Sequence, residues 1–299
     1  NFKIFIYSFS PKKDKYTQRV QATDCNFRDI YGINDLQVVN LARKDELDIA
    51  VDLNGYTENN RMNIFSYRVA PAQINYLGCP MSSGSSQIDY ILADEIVIPN
   101  EKKADYSEEI IYLPNCYMCF DRKRKISNIR FTRSDFGLKE DAFVLAAFHR
   151  SHKITPIEIE SWARLLTKIP RAILWIGFTD PIAKTNLIDC FTKVGIDKER
   201  IIFANKMKTS EEHLSRHSCA DLFLDTINYN AQSTAIDALW SGLPIVTLQG
   251  KSFSSRVCSS LLKAVGLENL VGYDLDNYEQ IVIDLSKNYI KLDEIKKYL

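Results

Sequence analysis

The sequence predicts an α/β protein of two successive Rossmann-like domains. Three observations carry that prediction. From Phe143 onward, short β-rich apolar runs alternate with helix-length amphipathic stretches, the pattern of a mostly parallel sheet covered on both faces. Before Phe143 the same alternation recurs less regularly. The chain has 299 residues, 45% hydrophobic and 25% charged, which is length enough for two cores.

In chain order, "FKIFIYSF" reads as an opening strand, "DLQVVNLARKDE" as a helix, and "DIAVDLNG", "QINYLG" and "DYILAD" as further strands. The charged, strand-poor piece from Asp121 to Asp135 reads as the linker, so the expected domains are 1–122 and 136–299, joined by 123–135. In the second half "FVLAAF", "AILWIGF", "RIIFA", "DLFLDT" and "PIVTL" are the strands. Two helix starts are marked by capping boxes: Thr155 and Glu158 around Pro156, and Thr209 with Glu212. Ligands of open α/β sheets collect where such helix N-termini meet strand carboxyl ends, so functional residues are expected in those loops.

Several classes are disfavoured at the outset. Acidic and basic residues are equal in number, which argues against a general nucleic-acid binder. Seven cysteines at irregular spacing do not form a disulfide framework and point to a reducing, cytoplasmic setting. No apolar run approaches a membrane span, and no signal-peptide pattern opens the chain. The absence of an initial Met and the end in a helical run suggest a piece of something longer.

The stretch "DTINYNAQSTAIDALWSGLPIVTL", Asp225 to Leu248, holds the leading candidate site. Its polar lip is long for a turn inside an α/β unit. Ser233 and Thr234 begin a helix whose first-turn N–H groups and hydroxyls suit a phosphate, and Asp237, about 6 Å further along, could reach a ribose diol. The plain alternative is an ordinary N-cap followed by a solvated acid. "FHRSHK" places His149, Arg150, His152 and Lys153 after the first strand of this half, where a lysine could stabilise a departing nucleotide; a solvated charge run is the alternative. His213 and His217 have i, i+4 spacing, but without an HExxH acid or a third ligand no metal is expected. "CYMC", Cys116 to Cys119, reads as packing, and "DLD", Asp274 to Asp276, as a helix cap.

Taken together, "YNAQSTAIDALWSGLPIVTLQGKSFSSRVCSSLL", "SDFGLKEDAFVLAAF", "APAQINYLGCP" and "VDLNGYTENNR" resemble the catalytic region of the O-linked N-acetylglucosamine transferase and SPINDLY family over nearly the whole chain. The resemblance implies a GT-B architecture with a cleft between its domains. It also implies an inverting, metal-independent transfer from a nucleotide sugar, with UDP-N-acetylglucosamine the first choice of donor, onto Ser or Thr of a protein acceptor. No cofactor beyond the donor is expected. By the same resemblance Lys153 holds the diphosphate, Ser233 and Thr234 form the phosphate-binding hydroxyl pair, and Asp237 binds the ribose. His213 lies at the nucleotide, Arg216 near the uracil, and Leu77 and Gly78 line the sugar end. Arg150 and Gln232 depart from the family pattern at donor-contacting positions, as does Asn26 where animal members have a histidine. GDP-fucose-dependent transfer, hexosyl transfer to Asn and a non-catalytic nucleotide-binding module are the alternatives.

Overall fold

The computed structural model describes residues 2–177 and 179–299. The chain divides into two compact units, Asn1–Leu92 with Ala104–Ile111 and Ala93–Lys103 with Tyr112–Leu299.

In the first unit, β1 (Phe5–Ser8) and β2 (Asn26–Asp29) pair in parallel around α1 (Lys15–Gln21). Helix α2 (Asp35–Lys44) starts on a reciprocal box, with the Asn34 side chain accepting from the Gln37 N–H and the Gln37 side chain accepting from the Asn34 N–H. It buries Val38, Val39 and Ala42 in a small core with Ile30, Ala50 and Ile64. Strands β3 (Ile49–Asp52), β4 (Ala72–Asn75), β5 (Tyr90–Ala93) and β6 (Glu109–Tyr112) form a second sheet in that order. Gln73 is fully buried because its side chain meets only backbone partners. Its Nε2 donates to the Phe65 and Gln87 carbonyls and its Oε1 accepts from the Val69 N–H.

The second unit carries one six-stranded sheet: β7 (Phe143–Ala147), β8 (Ala172–Ile176), β9 (Ile201–Phe203), β10 (Leu222–Leu224), β11 (Ile245–Leu248) and β12 (Val271–Gly272). Its order is β12-β11-β10-β7-β8-β9, with parallel pairing throughout. Every residue of β7, β8 and β10 is buried, as continuous apolar runs require of a sheet covered on both faces. The cover comes from α3 (Pro156–Lys168), α4 (Pro181–Lys193), α5 (Ser210–Ser215), α6 (Ser233–Trp240), α7 (Val257–Ala264), α8 (Leu275–Lys287) and α9 (Tyr289–Tyr298). Trp162 on α3 donates its indole N–H to the Tyr278 hydroxyl on α8 at 3.2 Å, satisfying both polar tips inside the core.

The chain walks outward from β7 through β8 to β9, returns to lay β10 beside β7, and then walks the other way through β11 to β12. The segments leaving β7 and β10 therefore diverge at a topological switch point, where open α/β sheets bind ligands.

The nine expected strands are present, although Phe178, included in one run, lies outside the described residues. Strands β2, β6 and β12 were not expected, because their runs of four, four and two residues are too short or too polar to show a period. Residues 123–135, expected as a linker, lie in the second unit. Arg133 Nη2 reaches Asp221 at 2.8 Å and the Ser127 N–H donates to the Glu211 carbonyl at 3.0 Å. The Thr155 box forms as expected, with Pro156 in the first turn. At Thr209 the box is only half made, since Glu212 Oε2 accepts from the Lys208 N–H instead of that of Thr209. Asp274 caps α8 through the Asn277 N–H at 2.7 Å. Cys116 packs beside Ser260, and all seven cysteines are free thiols. Among the described residues no helix is long and apolar enough to cross a membrane.

Glu158 shows how the sheet and its loops are joined. Its buried carboxylate accepts from the N–H and hydroxyl of Thr155 and, on its other oxygen, from the Ile227 N–H at 2.8 Å. One group thus caps α3 and pins the segment after β10. Replacing Glu158 with Ala leaves these donors buried without an acceptor and is expected to cost about 3 kcal/mol. Urea unfolding monitored by tryptophan fluorescence checks it, and an unchanged midpoint would reject the role.

Candidate functional site

The carboxylate of Asp225, directly after β10, is the deepest charged group at the switch point and has no exposed surface. Its Oδ1 accepts from the N–H groups of Thr226, at 2.8 Å, and Ala231, at 2.7 Å, and its Oδ2 from the Thr247 hydroxyl at 2.6 Å. Those bonds fold the polar lip 226–232 back on itself. Asn230 completes the turn, its Nδ2 donating to the Thr226 carbonyl at 2.7 Å. The length of the lip is thereby explained: it is a closed backbone loop around one carboxylate.

Lys153, from the segment after β7, crosses to this loop. Its Nζ donates to the Asn230 carbonyl at 3.1 Å and lies 4.2 Å from the centre of the Tyr229 ring. Burial lowers the pKa of its ammonium and Asp225 opposes that shift; burial likewise pushes Asp225 up to about 6 against its hydrogen bonds and Lys153. A partly desolvated ammonium interacts strongly with any anion that enters.

The loop delivers the chain into α6. Gln232 is the N-cap residue by backbone geometry, but no side chain caps the helix. Its amide is used elsewhere, Nε2 donating to the Tyr117 hydroxyl at 3.3 Å. Ser233 is exposed and Thr234 half-buried at the first turn. Unfilled first-turn N–H groups and the helix dipole make this end attractive to an anion. One turn on, Asp237 accepts from Arg124 on one oxygen, while its other oxygen lies 3.6 Å from His213 Nε2. Burial raises the Asp237 pKa, but the His213 and Arg124 contacts outweigh it and leave the carboxyl below its ordinary range.

The structure thus gathers Lys153, Gln232, Ser233, Thr234, Asp237 and His213 around the ends of β7 and β10. Arg150, in the segment after β7, is exposed. Arg216 is buried, its guanidinium 4.3 Å from the centre of the Phe148 ring and Nη1 donating to the Asn205 carbonyl at 2.8 Å. Burial lowers its pKa to about 10. His149 is not one of the cations of its loop. It is buried, donates Nε2–H to the Leu224 carbonyl at 2.7 Å, and is pulled down to about 4 by burial. His217 has no exposed surface and accordingly falls to about 3.

Leu77 and Gly78 belong to the first unit, in the turn after β4. Leu77 takes φ 71, and a Cβ on Gly78 would lie 2.4 Å from the Leu53 carbonyl oxygen, so glycine is required where this turn presses on the one after β3. Asn26 opens β2 and donates Nδ2 to the Ile4 carbonyl at 3.2 Å. Sequence reasoning missed Arg124, read as linker charge, and Tyr229 and Tyr117. No local pattern marks partners that lie 76 to 115 residues apart.

The family model described as Glycosyl transferase family 41 matches residues 1–131 and 125–299. An Arabidopsis thaliana protein named probable UDP-N-acetylglucosamine--peptide N-acetylglucosaminyltransferase SEC is 32% identical across 100% of this chain and 31% of its own length. A Solanum lycopersicum protein of the same description, SPINDLY, is 30% identical across 100% of this chain and 32% of its own. The chain therefore spans about a third of these relatives. A solved structure of a mutant O-GlcNAc transferase from Thermobaculum terrenum superposes with a TM-score of 0.90 at 27% identity, covering 99% of this chain and 56% of that one. The α/β fold is that of GT-B glycosyltransferases.

The buried histidines set a pH dependence. The folded state keeps His149 and His217 neutral, whereas the unfolded chain protonates them below about 6.5, so it binds more protons there. Their contribution to stability is present above that pH and is lost as pH falls towards 4 and 3. Asp225, with its raised value, works in the opposite sense between about 4 and 6. Urea midpoints are expected to fall from pH 7 to pH 4.5, and His149→Gln is expected to flatten the fall; an identical slope in the variant would contradict it.

Proposed function

The chain belongs to glycosyl transferase family 41, and we propose that it transfers N-acetylglucosamine from UDP-N-acetylglucosamine to Ser or Thr hydroxyls of proteins. One observation carries the reading: Lys153 and the uncapped α6 N-terminus meet at the switch point between β7 and β10. The names of the plant relatives and of the Thermobaculum transferase support this donor and a peptide acceptor.

In this reading the uridine diphosphate lies along α6. Ser233, Thr234 and the first-turn N–H groups take the phosphate, with Gln232 and Arg150 at its edge. Asp237 takes the ribose hydroxyls, and His213 and Arg216 border the base. The acceptor oxygen attacks the anomeric carbon while the bond from that carbon to the diphosphate oxygen breaks. The electron pair leaves on UDP, the hydroxyl proton is released, and the single displacement inverts the anomeric centre. Charge developing on the diphosphate is met by Lys153 and the helix dipole, so the reaction draws on no metal ion and no cofactor besides the donor. Seven free thiols fit a reducing compartment such as the cytoplasm.

Incubation with labelled UDP-N-acetylglucosamine, UDP-glucose and GDP-fucose and a peptide mixture tests donor and acceptor together. Transfer of N-acetylglucosamine to Ser or Thr is expected, and Lys153→Ala should lower it on the order of 10²–10³-fold. Transfer from GDP-fucose alone, or full turnover by the variant, would overturn the proposal.

A further inference from the structure

The segment Phe120–Phe131 reads in sequence as a charged spacer, yet it is fastened to the second unit along its length. Phe120 packs edge-on against Trp240 of α6, ring centres 4.9 Å apart. The Ser127 N–H donates to the Glu211 carbonyl of α5 at 3.0 Å, and the Ser215 hydroxyl of the same helix donates to the Ile129 carbonyl at 2.5 Å. Of the four consecutive cations Arg122, Lys123, Arg124 and Lys125, three are exposed. Arg124 alone turns inward. Its guanidinium lies 5.5 Å from the centre of the Phe120 ring and donates Nη1 to Asp237 Oδ1, with side-chain exposures of 23% and 14% for the pair.

A part-exposed ion pair contributes about 1 kcal/mol or less to stability, so the fold gives little reason for this contact. The site gives a better one. Asp237 lies one turn into the helix whose N-terminus attracts an anion, and a carboxylate held there only by His213 at 3.6 Å would be loosely oriented and would repel a diphosphate. Arg124 removes both problems. It occupies Oδ1 and cancels the charge, while Oδ2, 3.6 Å from His213 Nε2, keeps lone pairs for another donor.

We propose that Arg124 is a positioning residue of the nucleotide site: held by the 120–131 strap, it orients and neutralises Asp237 so that one helix can bind a nucleoside's hydroxyls and its diphosphate together. The proposal rests on the reading that Asp237 holds the ribose. Arg124 is thus a determinant of affinity for a nucleoside diphosphate acting through another side chain.

Calorimetric titration of UDP into the wild-type chain and into Arg124→Ala, Arg124→Lys, Asp237→Ala and the Arg124→Ala/Asp237→Ala double variant tests this. Arg124→Ala is expected to weaken UDP binding on the order of tenfold, the loss of one charge-assisted contact. Arg124→Lys should recover part of that loss, and the double variant should bind no more weakly than Asp237→Ala. If Asp237→Ala weakens UDP binding while Arg124→Ala does not, or if the double variant shows the product of the single losses, the role of Arg124 is overturned and the nucleotide site stands. If Asp237→Ala binds UDP as the wild type does, the ribose reading fails and takes this proposal with it.

Discussion

A single buried carboxylate organises the second unit. Asp225 stands where β10 ends, beside β7, at the point where the strand order reverses. It cannot stay charged in that position without donors, and the chain supplies them from two directions, the lip that follows it and Thr247 on β11, while the ammonium of Lys153 adds a favourable charge from the β7 side. Satisfying this one group fixes the path of residues 226–232, sets where α6 begins and draws Lys153 to the same spot. The shape of the site follows from the requirement that a buried charge be paired.

The surrounding charges share that logic. Lys153 and the α6 N-terminus form the positive end of the site, and Asp237 paired with Arg124 supplies a carboxylate whose charge is already balanced. His149, which looks cationic in sequence, is a neutral packing group, because burial removes it from water. Positive potential is thereby concentrated in a few groups instead of being spread over the whole "FHRSHK" loop.

Much of this was legible in the sequence, and its limits have physical causes. Long apolar runs such as Phe143–Ala147 must be buried strands, and the polar lip before Ser233 is visibly too long for an ordinary turn, although its cause, closure around the buried Asp225 carboxylate, is not readable from it. Pairings distant in sequence are different. Nothing in "DRKRKISN" reveals that Arg124 faces Asp237 while its neighbours face solvent, since all four residues are long cations and only the tertiary path distinguishes them. The switch point was equally hidden, because strand order is set by crossovers and not by any local pattern. The two-residue β12 leaves no period to read.

The proposed function requires a nucleotide diphosphate to bind where Lys153 and the N-terminus of α6 come together. A crystal structure of the chain with UDP tests it most directly. Diphosphate oxygens are expected within hydrogen-bond distance of Lys153 Nζ and of the Ser233 and Thr234 N–H groups or hydroxyls. UDP bound elsewhere, with these groups making no contact to phosphate, would contradict it.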